Sequence, residues 1–495
     1  MKIVLSSICL ESGTDIQLAL YYLKSYLLKR KSAEQYSPKV LIAVFDEHKT
    51  VQEIIKRISG LNPQVAGFSC YLWNIGKTLE VCRILKKANP GLKIILGGPE
   101  ASALASEILK REKAVDLIVR GEGEESFAEV TQSIAGYGLQ LSEIKGISFR
   151  QGKDIVINPD RPQMPDIEAI PSPYLQGVVN LKSKEIIDVP LETTRGCLYR
   201  CSYCYYHKNF PRVRFFPLFR IKKELQLILA NKPHEVYLMD ATFNSHLARA
   251  KKILRMFIRY NQGANLHVEL MAELLDEEMA RLLSQANAYN IEIGIQSTNP
   301  RTLKAINRRF NAEKFKRGIG LLNKYKLYYE IQLIDALPFQ SYDSLKQSLD
   351  WLYQLHPAKV IIFREALLPG TQLRQQAARY GIVYGAKPPY YAVKSQAMSR
   401  QEIRRVEKLG NAMERLYDSQ VFQPTLYALK DRGGIKISDM LEDWIIWEAR
   451  VKQYGSRYLE FINKKLPGFL EYVCRKHKRL DLYKELLPIL RKNLE

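Results

Sequence analysis

Glu192-Thr193-Thr194-Arg195-Gly196-Cys197-Leu198-Tyr199-Arg200-Cys201-Ser202-Tyr203-Cys204-Tyr205-Tyr206 holds three cysteines spaced C-x3-C-x2-C. The stretch overlaps the end of IIDVPLETT (186–194), which reads as a β-strand, and a long basic and aromatic segment follows it. Three thiolates on one short loop can ligate three irons of a cubane 4Fe–4S cluster and leave the fourth open, which makes such a cluster catalytic as well as an electron carrier. The same residues allow a structural zinc site with His207 as fourth ligand, although zinc more often pairs C-x2-C with a distant second pair.

Downstream of this loop, strand patterns alternate with helical ones through Tyr237–Asn244, Val268–Leu270, Glu292–Ser297, Ile331–Pro338 and Leu367–Thr371. That alternation predicts a partial βα barrel with its site at the carboxyl ends of the strands. Upstream, five almost continuous apolar runs (2–8, 40–45, 65–71, 93–98 and 115–121) are each followed by a helical pattern. Runs without polar alternation belong to strands covered on both faces, so the first part of the chain is read as α/β, a doubly wound parallel five-stranded sheet of flavodoxin-like order. Its ligand is expected beyond the strands' carboxyl ends. The loops there are Ser69-Cys70-Tyr71-Leu72-Trp73-Asn74, Gly97-Gly98-Pro99-Glu100-Ala101-Ser102 and Gly121-Glu122-Gly123-Glu124. A G-x-G-x-x-G fingerprint after the first strand is missing, which argues against NAD or FAD. Prolines cluster in 140–189, a hairpin and extended linker. Residues 395–495 show apolar residues at helical spacing, with Tyr417, Tyr427, Trp444, Trp447, Tyr454 and Tyr458 explained by helix packing. The expected organisation is therefore 1–139, 140–189, 190–394 and a helical 395–495.

The chain has 495 residues, 75 Lys+Arg against 52 Asp+Glu (75 − 52 = +23) and seven cysteines. Its basic residues are dispersed as pairs and triplets, without the uninterrupted block of a nucleic-acid arm. Charges interrupt every apolar run before the roughly 20 residues a membrane span needs. The amino terminus reads as a strand rather than a signal peptide. An odd cysteine count with three thiols bunched together points to a reducing, cytoplasmic setting.

With Tyr203 directly before its third cysteine, the triplet resembles the radical S-adenosylmethionine (SAM) superfamily. Together with the preceding SCYLWN, GGPEAS and GEGE loops, it is similar to the cobalamin-dependent branch, over roughly residues 1–395. The resemblance implies that Cys197, Cys201 and Cys204 hold one 4Fe–4S cluster whose open iron chelates SAM. It places Tyr203, Asp240, Asn244, Glu269, Gln296, Gln332 and Leu368 at SAM. It places Ser69, Tyr71, Trp73, Asn74, Gly97, Gly98, Pro99, Glu100, Gly121, Glu122, Gly123 and Glu124 at cobalamin. The family's usual glycine before Leu-Pro is Ala336 here, and its GGE-like segment is replaced by Asp240–Asn244. The D-x-H-x-x-G signature of cobalt-ligating domains is absent, and His48 is the only histidine of the first domain. Cobalt is therefore expected to lack an imidazole, with Trp73 either shaping its lower face or packing in the core.

What the resemblance implies is C-methylation through a 5′-deoxyadenosyl radical and methylcobalamin, with cyclisation or rearrangement as the alternative outcome. A small-molecule or peptide substrate is expected, an anionic one suiting the positive charge, with flavodoxin or ferredoxin as external electron donor and no nucleic acid. A tRNA methylthiotransferase is a further alternative, with Cys9, Cys70 and Cys82 as candidates for a second cluster. Another is a non-catalytic protein using the triplet for zinc or a redox cluster in RNA binding. The residues name no substrate.

Overall fold

A computed structural model describes residues 1–10, 16–183, 187–451 and 458–494, the side chains of 458–464 and 494 excepted. Ile186, at the start of the expected strand, and Tyr454 and the side chain of Tyr458 in the helical region lie outside the described residues.

The first sheet contains β1 (Lys2–Cys9), β2 (Lys39–Asp46), β3 (Val65–Ser69), β4 (Lys93–Gly97), β5 (Leu117–Val119), β6 (Ile147–Gln151) and β7 (Asp154–Ile157), in the order β2-β1-β3-β4-β5-β6-β7. The first five strands pair in parallel. Alternate residues of β1 enter opposite cores: Ile3 and Leu5 on one face, Val4 and Ile8 on the other. A two-residue period with both faces covered is why the strand reads as one apolar run. Because β1 lies between β2 and β3, the chain leaves it in both directions, and the crevice at the carboxyl ends of β1 and β3 is the topological switch point. The hairpin expected within the linker docks antiparallel on β5 as two further strands, which widens the five-stranded expectation to seven.

β8 (Asp188–Leu191) opens the second sheet. Next, β9 (Thr194–Arg195) and β10 (Arg214–Phe215) form a two-residue antiparallel ladder across the base of the cysteine loop. β11 (Glu235–Leu238), β12 (Asn265–Glu269), β13 (Ala288–Gln296), β14 (Tyr329–Ile334) and β15 (Lys359–Phe363) then follow. All six strands of the second sheet are parallel and ordered β15-β14-β13-β12-β11-β8, the sequential order of an open, partial βα barrel. One face carries Val236, Leu266, Val268, Ile291, Ile293 and Ile331 into a core shared with the helices. The alternate residues Tyr237, His267, Glu269, Glu292 and Gln332 form a polar network on the other face.

After a short hairpin of β16 (Val383–Tyr384) and β17 (Ala392–Lys394), the rest of the described chain is helical. A Ser399–Glu402 capping box starts the helix Arg400–Met413. Lys346 on a barrel helix pairs with Asp439 (2.8 Å) and Glu442 (2.6 Å) of Ile437–Arg450. Trp444, Phe469 and Tyr417 belong to the same apolar core as the barrel, so these helices extend that core. Among the described residues no helix is long and apolar enough to cross a membrane.

Candidate functional site

The cysteine loop is anchored from several directions. Ser202 donates its N–H to the Ile306 carbonyl (2.9 Å) and accepts from Leu373 N–H (2.8 Å), while Asn307 Nδ2 donates to the Arg200 carbonyl (2.9 Å). Gly196 sits at φ +105°, where a side chain would run into the Arg212 carbonyl, so this position demands glycine. Cys201 is buried and Cys197 and Cys204 are half-buried. Each sulfur has a donor beside it: Tyr199 N–H on Cys197 (3.5 Å), Tyr206 N–H on Cys204 (3.4 Å) and the Arg308 guanidinium on Cys201 (3.7 Å). Burial raises the thiol pKa of Cys197, and that of Cys204 to about 11, while these amide hydrogen bonds pull the other way.

Among the described residues no three His, Cys, Asp or Glu side chains surround one point closely enough to hold a single ion. That does not fit the zinc set of the three cysteines with His207, which needs four donors about one metal. A cubane takes each thiolate on a different iron and uses hydrogen bonds to its sulfurs to set its potential, and this donor set fits it. All seven cysteines are described and none is in a disulfide. Cys70 and Cys82 lie in the apolar core of the first sheet and Cys9 is also buried, so the thiols considered for a second cluster are small buried hydrophobes.

The expected SAM residues divide. Asp240 is buried and accepts from the N–H groups of Thr193 (2.7 Å) and Thr194 (2.9 Å) and from the Thr193 hydroxyl. Asn244 is buried and doubly bonded to the Met271 backbone (2.8 and 2.9 Å). These two side chains also hold the loops in place. Gln296 points elsewhere: its φ is +71°, and among the described residues its buried Oε1 has no hydrogen-bond partner. Gly294 makes room for that amide, since a Cβ there would lie 2.5 Å from Gln296 Nε2. Glu269 accepts from Tyr237 O–H (3.1 Å), and burial followed by the charge of Glu292 lifts its pKa to about 7. Gln332 donates to Glu292 (2.7 Å) and Glu330 (3.0 Å). Tyr203 and Leu368 are half-buried. Beside Leu368, Gly370 faces the Tyr205 ring and Ala103, so barrel, cysteine loop and first sheet meet there.

The expected cobalamin residues divide too. Ser69, Gly97 and Pro99 are half-buried near the carboxyl edge, and Gly121 is exposed with open space around it. Tyr71 stacks on Trp73 with ring centroids 4.5 Å apart and planes 7° from parallel. Trp73 is 46% exposed, which removes the reading of it as a core tryptophan. The other six are bonded or packed within the chain. Asn74 is buried, donating to the carbonyls of Ile8 (3.0 Å) and Ser69 (3.1 Å) and accepting from Tyr71 N–H (2.8 Å). Gly98 is needed for intrachain packing: a Cβ would fall 2.6 Å from the Cys70 carbonyl oxygen. At Gly123 a Cβ would meet Leu23 at 3.2 Å. Glu100 accepts the Tyr390 hydroxyl (2.5 Å). Glu122 takes Arg214 (2.5 Å) and Arg195 (3.3 Å), and Glu124 takes Arg195 (2.7 Å). The glutamates of the third loop thus clamp the base of the cysteine loop. Arg195, next to Gly196, also pairs with Glu192 (2.9 Å) and lies over the Tyr22 ring.

Sequence reasoning missed Arg308, read only as half of a basic pair, and Thr242, whose hydroxyl lies 3.9 Å from Cys197 Sγ. It also missed His267, whose ring bridges Glu235 (3.2 Å) and Glu292 (2.7 Å). An alternating polar residue in an otherwise apolar barrel strand was the available signal for His267; Arg308 offered none.

The radical SAM superfamily model matches residues 191–352 and the B12 binding domain model residues 23–131. A third model, described as a protein of unknown function (DUF4080), matches residues 378–489. The chain is 26% identical over 357 residues to 2-(S-pantetheinyl)-carbapenam-3-carboxylate methyltransferase of Streptantibioticus cattleyicolor, covering 67% of this chain and 51% of that protein. It is 23% identical over 350 residues to the anaerobic magnesium-protoporphyrin IX monomethyl ester cyclase of Rubrivivax gelatinosus, covering 67% and 61%. The chain therefore spans about half the length of the first of these relatives. The solved structure of the cobalamin-dependent SAM radical enzyme OxsB, with aqua-cobalamin and SAM bound, shares its fold at TM-score 0.67 and 18% identity over 100% of this chain and 83% of that one. The B12 binding model thus falls on the first sheet and the radical SAM model on the second, and the fold of one solved cobalamin-dependent radical SAM enzyme runs through both: the chain joins a B12 binding domain to a radical SAM domain.

Proposed function

We propose that this chain is an enzyme that methylates an unactivated carbon of a small-molecule or peptide substrate, using a 4Fe–4S cluster, SAM and cobalamin in a reducing cytoplasm. The observation that carries the reading is the convergence of three hydrogen-bonded thiols, at the mouth of the barrel, with the carboxyl-edge loops of the first sheet. Arg195 and Gly370 mark that convergence. When bound, the three cofactors would supply an electron, a carbon-centred abstractor of hydrogen and a transferable methyl group.

The chain's own residues position, desolvate and polarise. Cys197, Cys201 and Cys204 would hold the cluster, and Tyr199, Tyr206 and Arg308 place a hydrogen-bond donor beside each sulfur. Gln296 Oε1 is a ready acceptor for a hydroxyl or amine of SAM, with Glu269, Gln332, Tyr203 and Leu368 proposed beside it. Ser69, Gly97, Pro99 and Gly121 would border cobalamin, and the Tyr71–Trp73 stack would give its lower face a flat apolar wall. The matched methyltransferase supports the methyl-transfer outcome. The matched cyclase, over an equal share of the chain, favours cyclisation as the second reading.

Anaerobic purification with metal counting and an ultraviolet–visible spectrum tests the assignment, with about four irons and one cobalt per chain expected. Cys197→Ala, Cys201→Ala and Cys204→Ala together should abolish iron loading and SAM cleavage while cobalamin stays bound. Zinc in place of iron, or a triple variant that still cleaves SAM, would overturn it. A product heavier by one methyl group separates methylation from cyclisation.

A further inference from the structure

Beyond β15, the last barrel strand, the chain stays extended through Glu365. Ala366 bridges antiparallel to Tyr391, Ala392 N–H donates to the Glu365 carbonyl (2.8 Å), and Leu367 N–H donates to the Tyr390 carbonyl (3.1 Å). Strands β14 and β15 pair Gln332 with Ile361 and Ile334 with Phe363. Gln332 belongs to the polar face of the barrel, so the two-residue period brings Ile361, Phe363 and then Glu365 to that face. Polar residues at the carboxyl ends of barrel strands are where this architecture keeps its site. The first sheet and the cysteine loop are close by. Tyr390, bonded to Leu367, gives its hydroxyl to Glu100 (2.5 Å), and Gly370 faces Tyr205 and Ala103.

Glu365 is 2% exposed, and among the described residues its carboxyl group has no hydrogen-bond or ion-pair partner. Cations of the polar face are already engaged: His267 with Glu235 and Glu292, and Lys359 with Glu330. The neighbouring guanidiniums are engaged too. Arg364 donates to the Ala392 carbonyl (3.3 Å) and lies 5.3 Å over the Tyr391 ring, while Arg374 donates to the Leu367 carbonyl (2.8 Å) and lies 4.6 Å over Tyr390. What stands beside Glu365 is a second carboxyl group. Asp335, 3% exposed, accepts the Glu365 N–H (2.9 Å). Burial and then the charge of Asp335 push the Glu365 pKa well above the usual carboxylate range. Two carboxyl groups out of water without a cation are costly, and a glutamine or leucine would fill the place of Glu365 without that cost. On the same face, Phe363 is 46% exposed.

We propose that Glu365 is the substrate-binding residue for a cationic nitrogen, an ammonium group on a short apolar stem, with Asp335 adding negative potential and Phe363 packing on the stem. The proposal rests on the methylation reading above, which puts the site where barrel, cysteine loop and first sheet meet. An arriving ammonium holds Glu365 ionised and gives the buried carboxylate a charge-assisted hydrogen bond in surroundings poor in water. A neutral analogue leaves the carboxyl group unpaired and is rejected for that reason. An amine differs from the anionic substrate that the net charge of +23 suggests. Net charge steers approach from a distance, whereas the groups at the site select what stays.

The test uses the full-length, anaerobically reconstituted protein with n-butylammonium chloride as probe. Calorimetry and thermal unfolding compare it with 1-butanol and sodium butyrate at equal concentration. The ammonium should bind and raise the unfolding temperature, and the alcohol and the carboxylate should do neither. Glu365→Gln keeps the shape and should weaken ammonium binding by about tenfold or more. Asp335→Asn should give a smaller loss, and the exposed Glu313→Gln none. Without the probe, Glu365→Gln should unfold at or above the wild-type temperature, because it removes a buried unpaired carboxyl group. Its SAM affinity should be unchanged. Equal binding of 1-butanol, ammonium binding indifferent to Glu365→Gln, a clear fall in that variant's unfolding temperature, or a parallel fall in its SAM affinity would overturn the proposal. Metal content keeps the two claims apart. Protein that takes up neither iron nor cobalt fails the methylation reading, whereas loaded protein whose ammonium binding ignores Glu365→Gln fails the amine site alone.

Discussion

The guanidinium of Arg195 and the carboxylate of Glu124 meet at 2.7 Å, both buried, joining the base of the cysteine loop to the carboxyl edge of the first sheet. Glu122 and Glu192 complete a set of three carboxylates about one guanidinium. The first sheet therefore orients the loop that would carry the cluster.

Removing the cation leaves those carboxylates facing one another out of water. Arg195→Met should cost about 3–5 kcal/mol, the scale for breaking a buried ion pair, and should lower iron incorporation. Arg195→Lys should fall between, since an ammonium is a point charge without the fork that reaches three partners. Thermal unfolding with iron analysis reads both effects. An Arg195→Met protein with wild-type unfolding temperature would remove the clamp.

Gly98 and Gly121 both have positive φ, +91° and +73°, but differ in surroundings. Gly98→Ala combines backbone strain with a clash on Cys70 and should cost about 3 kcal/mol or more, whether or not cobalamin is present. Gly121→Ala meets nothing within 4 Å and should cost only about 1–2 kcal/mol from backbone strain. Denaturant titration of the two variants without cobalamin checks the order.

Trp73 is exposed and stacked on Tyr71, so Trp73→Ala should change folding stability by about 1 kcal/mol or less. The same variant should alter the electron paramagnetic resonance spectrum of bound cob(II)alamin by opening its lower face to water, while His48→Ala leaves the spectrum unaltered. Nitrogen triplet splitting that vanishes in His48→Ala would refute the imidazole-free lower face. A spectrum indifferent to Trp73→Ala would place the stack away from cobalt.

His267 gives a pH dependence with a definite sign. Burial pulls its pKa down, but hydrogen bonds to Glu235 and Glu292 and their charges outweigh that and raise it to about 9. Against an unfolded value of about 6.5, the folded protein holds the extra proton between the two. This contribution to stability is therefore fully present below about pH 6.5 and lost as pH rises through about 9. Wild-type unfolding temperature should fall more steeply than that of His267→Gln between about pH 7 and 9.5. Parallel curves would mean that the imidazolium is not formed.

Much of the architecture was legible because it is local. Covered strands write themselves as apolar runs, as in β1 and β4, and the alternation of strand and helix carried the βα barrel. The hairpin 147–157 was legible as a hairpin, but its place on β5 was not, because its two short strands gain that place only by docking. At the site, the cysteine triplet was legible from spacing alone. Glu122, Glu124, Glu100 and Asn74 were legible as residues of the strand-end loops, but their partners within the chain were not.

By itself the sequence determined which residues reach the carboxyl ends of the strands, how three thiols share one loop, and that the first sheet winds in both directions from β1. Those properties follow from periods of two and 3.6 residues and from spacings within a dozen positions. Only the tertiary structure decided what each polar loop residue faces. Glu122 and Arg195 are 73 positions apart and Glu100 and Tyr390 are 290 apart. A carboxylate at a strand end is equally suited to a ligand, a helix terminus or a cation from another layer. Burial obliges it to find a partner, and which partner is at hand depends on how the two sheets dock.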